Sequence, residues 1–247
     1  LLEYIDRSGR GLANQGWKDS GDSVQWHDGR LARGPIALCE VQAYAYEAAL
    51  GGAAMLDALG APGDAEPWRL WAERLRAAFH ERFWVTDPAR VGELGPYPAI
   101  ALDAEKQPVD SVTSNLGHLL GTGLLDAEQA ALVARRLASP ALDSGFGLRT
   151  LSTEAAGYWP FSYHGGSVWA HDTAIAIQGL VREGHRDAAA SLAEGLLRVA
   201  DAVDYRMPEL HGGDGLDVTA RPIPYPASCR PQAWSAAAAI AVLGALR

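Results

Sequence analysis

At 247 residues, 48% hydrophobic and 21% charged, the chain has the make-up of a globular protein with ample material for a large core. A formal net charge of −9 argues against a nucleic-acid partner, because a phosphate backbone demands a basic face. No apolar run reaches transmembrane length and Cys39 and Cys229 make no disulfide framework, so no membrane partner is expected and a reducing compartment, the cytoplasm, fits.

Leu1 to Ile5 reads as the tail of an element already under way, and the polypeptide is expected to extend upstream. The first loop then carries Asn14-Gln15-Gly16-Trp17-Lys18-Asp19-Ser20-Gly21-Asp22. No apolar period runs through it, so core packing does not account for its composition. A polar turn would do so, and so would a carbohydrate site with carboxylates beside an indole and an ammonium. Gly34-Pro35 punctuates, with Pro35 suited to a helical first turn. Helices are predicted over 36–59, 66–84, 113–120, 126–138, 168–181, 187–203 and 232–246. In the second, Trp68, Trp71, Leu75, Phe79 and Phe83 form one stripe, and Asp126 with Gln129 resembles a capping box for the fourth.

Helices 36–59, 168–181 and 232–246 are apolar all round, and 113–120 takes a slot in the same series. Those over 66–84, 126–138 and 187–203 are one-sided. A helix apolar all round must be enclosed, while an amphipathic one can face water, so the alternation describes an inner and an outer layer. Connections from inner to outer are tight; those from outer to inner are long, at 85–112, 139–167 and 204–230. All long loops therefore emerge at one end of a stack of antiparallel helix pairs, where function concentrates. No repeated signature marks an open solenoid, and a closed toroid is the better reading.

Each long loop holds polar and aromatic residues without a core role. The second ends in Pro108-Val109-Asp110-Ser111-Val112-Thr113-Ser114-Asn115, suited to helix capping or to ligand contact. The third runs Tyr158-Trp159-Pro160-Phe161-Ser162-Tyr163-His164-Gly165-Gly166-Ser167-Val168-Trp169-Ala170-His171-Asp172, a surface for stacking on sugar rings or a plug for the toroid. The fourth presents Glu209 between Pro208 and the pair Gly212-Gly213. Metal-ligand spacings, phosphate loops and a nucleophile elbow are absent from the sequence, so no metal and no cofactor is expected. Two carboxylates on separate loops facing one cleft are the equipment for glycoside hydrolysis.

The Asn14–Ser20, Pro160–Trp169 and Pro208-Glu209-Leu210 motifs resemble the bacterial amylo-alpha-1,6-glucosidase family, the C-terminal part of glycogen debranching enzymes. That family sits among the six-hairpin toroid glycosidases with trehalases, glucoamylases and processing glucosidases. The resemblance covers essentially the whole chain. It departs at His211-Gly212, where an aromatic residue is expected, and at Ala170, where proline is usual. It implies an all-α fold, an (α/α)6 toroid, with residues 1–247 as the C-terminal part of one catalytic domain holding the last seven of twelve helices. It further implies an inverting glycosidase acting on α-glucosidic bonds, α-1,6 branches among them, in an oligosaccharide or small α-glucoside. A trehalase-like enzyme, a hydrolase of mannosyl or glucosyl conjugates, or a non-catalytic carbohydrate-binding toroid are the alternatives.

By the same match Asp19 is the general acid and Glu209 the general base, although spacing alone leaves Asp22 as a rival acid. Trp17, Tyr163, His164 and Trp169 are expected to line the sugar pocket, with Lys18, Asp110 and Asp172 as polar contacts. The two carboxyl groups are expected to stand roughly 6.5–9.5 Å apart, leaving room for a water.

Overall fold

Hydrophobic periodicity places the long elements where they form. In the computed structural model, which describes residues 1–247, the long helices are α1 (Cys39–Ala58), α2 (Pro62–Arg82), α4 (Ala127–Leu137), α5 (Ala170–Arg182), α6 (Arg186–Ala202) and α7 (Ala233–Ala245). A single turn, α3 (Pro88–Val91), interrupts the second loop. The capping box is formed: the Asp126 side chain accepts from the Gln129 amide, and the Gln129 side chain accepts from the Asp126 amide. Such a cap satisfies two otherwise orphaned donors at the start of α4.

Two inner helices start later than the sequence expectation for the same physical reason. Pro35 opens no helix, because Ala37–Leu38 (β1) pairs antiparallel with Ala101–Leu102 (β4), which pairs in turn with Pro108–Val109 (β5). Val168–Trp169 (β6) likewise pairs with Leu210–His211 (β7), so α5 begins only at Ala170. A further pair, Trp84–Val85 (β2) with Tyr97–Pro98 (β3), ties the end of α2 to its loop. These ladders satisfy backbone groups just before an inner helix starts. Two-residue strands have no period for a sequence to show. At α2 the correction runs the other way: Pro62 occupies the first turn, four residues before the expected start.

The segment expected as a helix over 113–120 is a 3-10 helix, Ser114–Leu119, buried throughout. It packs between α1 and α5, and α5 packs against α7, giving the inner series in chain order. A Cβ on Gly117 would come within 2.6 Å of the Ala176 Cβ, and one on Gly179 within 2.7 Å of Leu120. This close approach needs glycine on both elements. On the outside α2 backs α1, α4 backs the 3-10 helix and α6 backs α5. The main core lies between the layers, with Phe79, Phe83, Leu116, Leu137, Phe146 and Leu180 fully enclosed. A smaller cluster of Val24, Ile36, Leu38, Ile100, Ala101 and Val109 anchors the first two loops.

The enclosure expected of the all-round apolar helices holds for α5 but not for α1 and α7. Met55 and Leu59 at the end of α1, and Trp234, Ile240, Leu243 and Leu246 along α7 and just past it, are exposed. Trp68 departs from the α2 stripe and is also exposed. No helix is long and apolar enough to cross a membrane.

Candidate active site

The first loop is held from both sides of Asp19. Lys18 is buried, and its Nζ donates to the Thr150 carbonyl at 2.6 Å. Ser20 Oγ lies 2.9 Å from His164 Nδ1. Ser23 Oγ closes the turn by donating to the Lys18 carbonyl at 2.7 Å. With both neighbours anchored in the protein, Asp19 projects to the exposed surface.

The fourth loop is set by the β6–β7 ladder, which places Leu210 opposite Trp169 and so brings Glu209 beside the third loop. The Glu209 amide donates to the Cys229 carbonyl at 2.8 Å. Its side chain receives the Tyr163 hydroxyl on Oε1 at 3.1 Å. A Cβ on Gly213 would collide with the Gly166 carbonyl, so the two glycine pairs let these loops meet backbone to backbone. Burial, together with the Glu209 hydrogen bond, pushes the Tyr163 phenol up to about 12, and the charges of Glu209 and Asp19 both act on it in the same direction. One phenol therefore senses both of the predicted carboxylates.

Trp17 forms the floor between these loops. Its ring stacks on His118 at 5.8 Å and meets His164, Trp169 and His171 edge-on at 5.4, 5.8 and 5.1 Å. Behind it lies a buried polar relay. The Tyr44 hydroxyl meets His118 Nδ1, and His118 Nε2 donates to Asp172 Oδ1 at 2.7 Å. Burial favours the protonated form of Asp172, but the hydrogen bond and charge of His118, with Lys18, outweigh it and hold the carboxyl below its usual range. Glu40, fully enclosed beside Cys39, accepts from Asn115 Nδ2 at 2.9 Å, and burial raises its carboxyl. Burial also lowers the Lys18 ammonium to about 8, against the pull of Asp172 and Glu40.

Several expected sugar contacts are therefore placed otherwise. Lys18 spends its ammonium on Thr150, and Asp172 is enclosed against His118. Asp110 is taken up by structure: it accepts from the His27 amide at 2.9 Å and pairs with Arg90 at 3.1 Å. His164 and Trp169 are buried; the indole N–H of Trp169 donates to the Tyr163 carbonyl at 2.8 Å, so that these two rings back the site from behind. Asp19, half-buried Trp17, Tyr163 and Glu209 remain at the accessible face. Asp22 is exposed as well, and its charge acts on His164. Tyr44, Glu40, His118 and Trp234 were missed from the sequence, whereas His171 belongs to the Tyr158–Asp172 surface read from it. Trp234 stacks on His171 at 4.0 Å and brings α7 to the site.

The sequence model of the mannosylglycerate hydrolase MGH1-like glycoside hydrolase domain matches residues 6–210, spanning both Asp19 and Glu209. The chain belongs to this family. No curated protein sequence matches it significantly. Among solved structures it is similar to the neutral trehalase of Saccharomyces cerevisiae, at 18% identity and a TM-score of 0.65, over 93% of this chain and 41% of that one. It is also similar to the GH63 mannosylglycerate hydrolase of Thermus thermophilus in complex with glucose. There the identity is 18% and the TM-score 0.62, over 84% of this chain and 48% of that one. The chain thus spans less than half the length of either structure. The fold is that of the six-hairpin glycosidases, and the family found within it is the MGH1-like one.

Proposed function

We propose that Asp19 and Glu209 form the acid–base pair of an inverting glycosidase that acts on a small α-glycoside. The observation that carries this reading is the position of Tyr163, whose hydroxyl holds Glu209 while the Asp19 charge acts on the same phenol. Protonated Asp19 gives its proton to the glycosidic oxygen as the bond to the anomeric carbon breaks. Ionised Glu209 takes a proton from a water that attacks the opposite face of that carbon. The half-buried Trp17 face offers apolar surface to the pyranose ring between them.

Two substrate readings stay in play. Cleavage of α-1,6 branches rests on the motif resemblance. A mannosyl or glucosyl conjugate, or trehalose, is supported by the family description and by what the similar structures are named for. We favour the second. Trehalose, mannosylglycerate and isomaltose, each incubated with the full polypeptide and followed by proton NMR, separate the two. The expected result is the β-anomer appearing first from one of the first two substrates. The α-anomer appearing first removes the inverting mechanism, and no hydrolysis of any of the three favours a binding toroid.

The exposed faces of α1 and α7 support the further proposal that helices upstream in the same polypeptide complete the ring. Burying a side chain the size of Ile240 or Leu243 is worth about 1.5–3 kcal/mol, so leaving several in water is a heavy loss for a marginally stable domain. Residues 1–247 expressed alone should self-associate in ultracentrifugation. A well-behaved monomer with a cooperative melt would count against this proposal.

A further inference from the structure

A second polar cleft lies between the C-terminal end of α4 and the loops carrying Val112 and Ser152. It has two lobes, of about 360 and 900 Å³, that share Val112, Arg136, Ser152 and Glu154. None of Trp17, Asp19, Tyr163 or Glu209 lines it. In a chain of net charge −9, its walls carry Arg135, Arg136 and Arg149.

Arg136 and Arg149 are the unusual members. They are only 4% and 5% exposed, yet neither forms an ion pair with any carboxylate of the chain. Arg136 gives Nη2 to the carbonyls of Val91 and Gly95 at 2.9 and 2.6 Å, and its guanidinium lies 4.2 Å from the centre of the Tyr97 ring. Its Nε is buried without a hydrogen-bond partner and out of reach of a ligand, so Nη1, which has no partner in the chain, is the group that can serve the cleft. Arg149 likewise donates to carbonyls, those of Gly213, Pro140 and Asp143, and its remaining neighbour is the Tyr158 hydroxyl rather than a carboxylate. A buried charge is normally paired, because carbonyl dipoles recover only part of the lost hydration. Two such guanidiniums beside hydroxyl-bearing Ser139, Ser152 and Thr153 make a site short of one negative charge.

We infer that this cleft is a binding site for an oxyanion, the phosphate or carboxylate of a small ligand, held chiefly by Arg136 with Arg135 and Arg149 adding positive potential. Glu154 and Asp217 stand at the same walls and offset two of the three guanidinium charges, which suits the site to a group of one net negative charge. The inference does not depend on the glycosidase reading, since the cleft shares no residue with the proposed catalytic pair.

Inorganic phosphate and acetate, titrated separately into the full polypeptide at constant ionic strength and followed by calorimetry, test it and tell the two sources of negative charge apart. At least one should bind saturably. Arg136→Gln should weaken that binding about tenfold or more, the loss expected for a charge-assisted hydrogen bond. Because Arg136 also ties down two carbonyls and its loss can disturb the fold, Glu154→Gln provides the independent arm. Removing that exposed competing charge should tighten binding by about two- to fivefold without lowering Tm. Absence of saturable binding by either anion, or binding that Glu154→Gln leaves unchanged in a folded protein, overturns the inference. So does binding of a neutral saccharide that Arg136→Gln weakens as much as it weakens the anion, which would make the cleft an accessory sugar site.

Discussion

Glu209→Gln in the full polypeptide should lower kcat by about 10²–10⁴-fold, the usual worth of a positioned general base. KM should change little. The substitution keeps the shape of the side chain and leaves an oxygen to accept from Tyr163, the side chain's one hydrogen-bond partner. Stability should therefore stay within about 0.5 kcal/mol of the parent. Asp19→Asn should do comparable damage, and Asp22→Asn should do far less, because the Asp19 charge acts on Tyr163, the phenol that holds Glu209. Tyr163→Phe separates positioning from chemistry. It removes the hydrogen bond that orients Glu209, so kcat should drop by a smaller factor and the pH profile of kcat should move. Wild-type kcat in Glu209→Gln would end the proposed mechanism; an unaltered pH profile in Tyr163→Phe would confine that ring to packing.

The parts of this site legible in the sequence were those on loops. Trp17, Asp19, Tyr163 and Glu209 stood out because no apolar period explained them. Their mutual placement was not legible, since it depends on the Trp169–Leu210 pairing of two-residue strands that leave no pattern. The relay behind Trp17 was hidden for the opposite reason. Glu40 and Tyr44 lie in α1, and His118 in the 3-10 helix, segments whose apolar surroundings made them read as core alone. A signal did exist: Glu40 and Gln42 are charged or polar in the first turns of a helix whose only other charged residues are Glu47 and Asp57, and a buried carboxylate needs a partner. Asp110 misled because its loop composition suits ligand contact, whereas its carboxylate is spent on Arg90 and the His27 amide. The layers were legible in full outline, because a 3.6-residue period and a capping box are local properties. The 3-10 geometry at 114–119 was not, since six residues are too few for the hydrophobic period to tell it from an α-helix.

The protein should lose stability steeply on mild acidification, before its surface carboxylates titrate. His164 is lowered to about 3, by burial first and then by the nearby Lys18 charge. His211 is lowered to about 4, again by burial, which the Gly212 carbonyl only partly opposes. In both the folded state resists a proton that the unfolded chain accepts near 6.5. The unfolded state thus binds more protons between pH 6.5 and pH 4, and unfolding becomes easier as the pH falls through that window. Each imidazole costs about 2 kcal/mol by pH 5, and the two together remove a large share of a typical folding free energy. His171, lowered by burial, adds in the same direction. Glu40 opposes it, because its burial-raised carboxyl takes up a proton more readily when folded. Lys18, lowered to about 8, acts in a different window: there stability rises with pH between about 8 and 10.5, as the folded state gives up the proton first. Urea melts of the full polypeptide at intervals from pH 7.5 to pH 5 should show the midpoint falling below pH 6.5, and His211→Asn should flatten that slope. A midpoint constant down to pH 5 would mean that neither imidazole is shielded from water in the folded state.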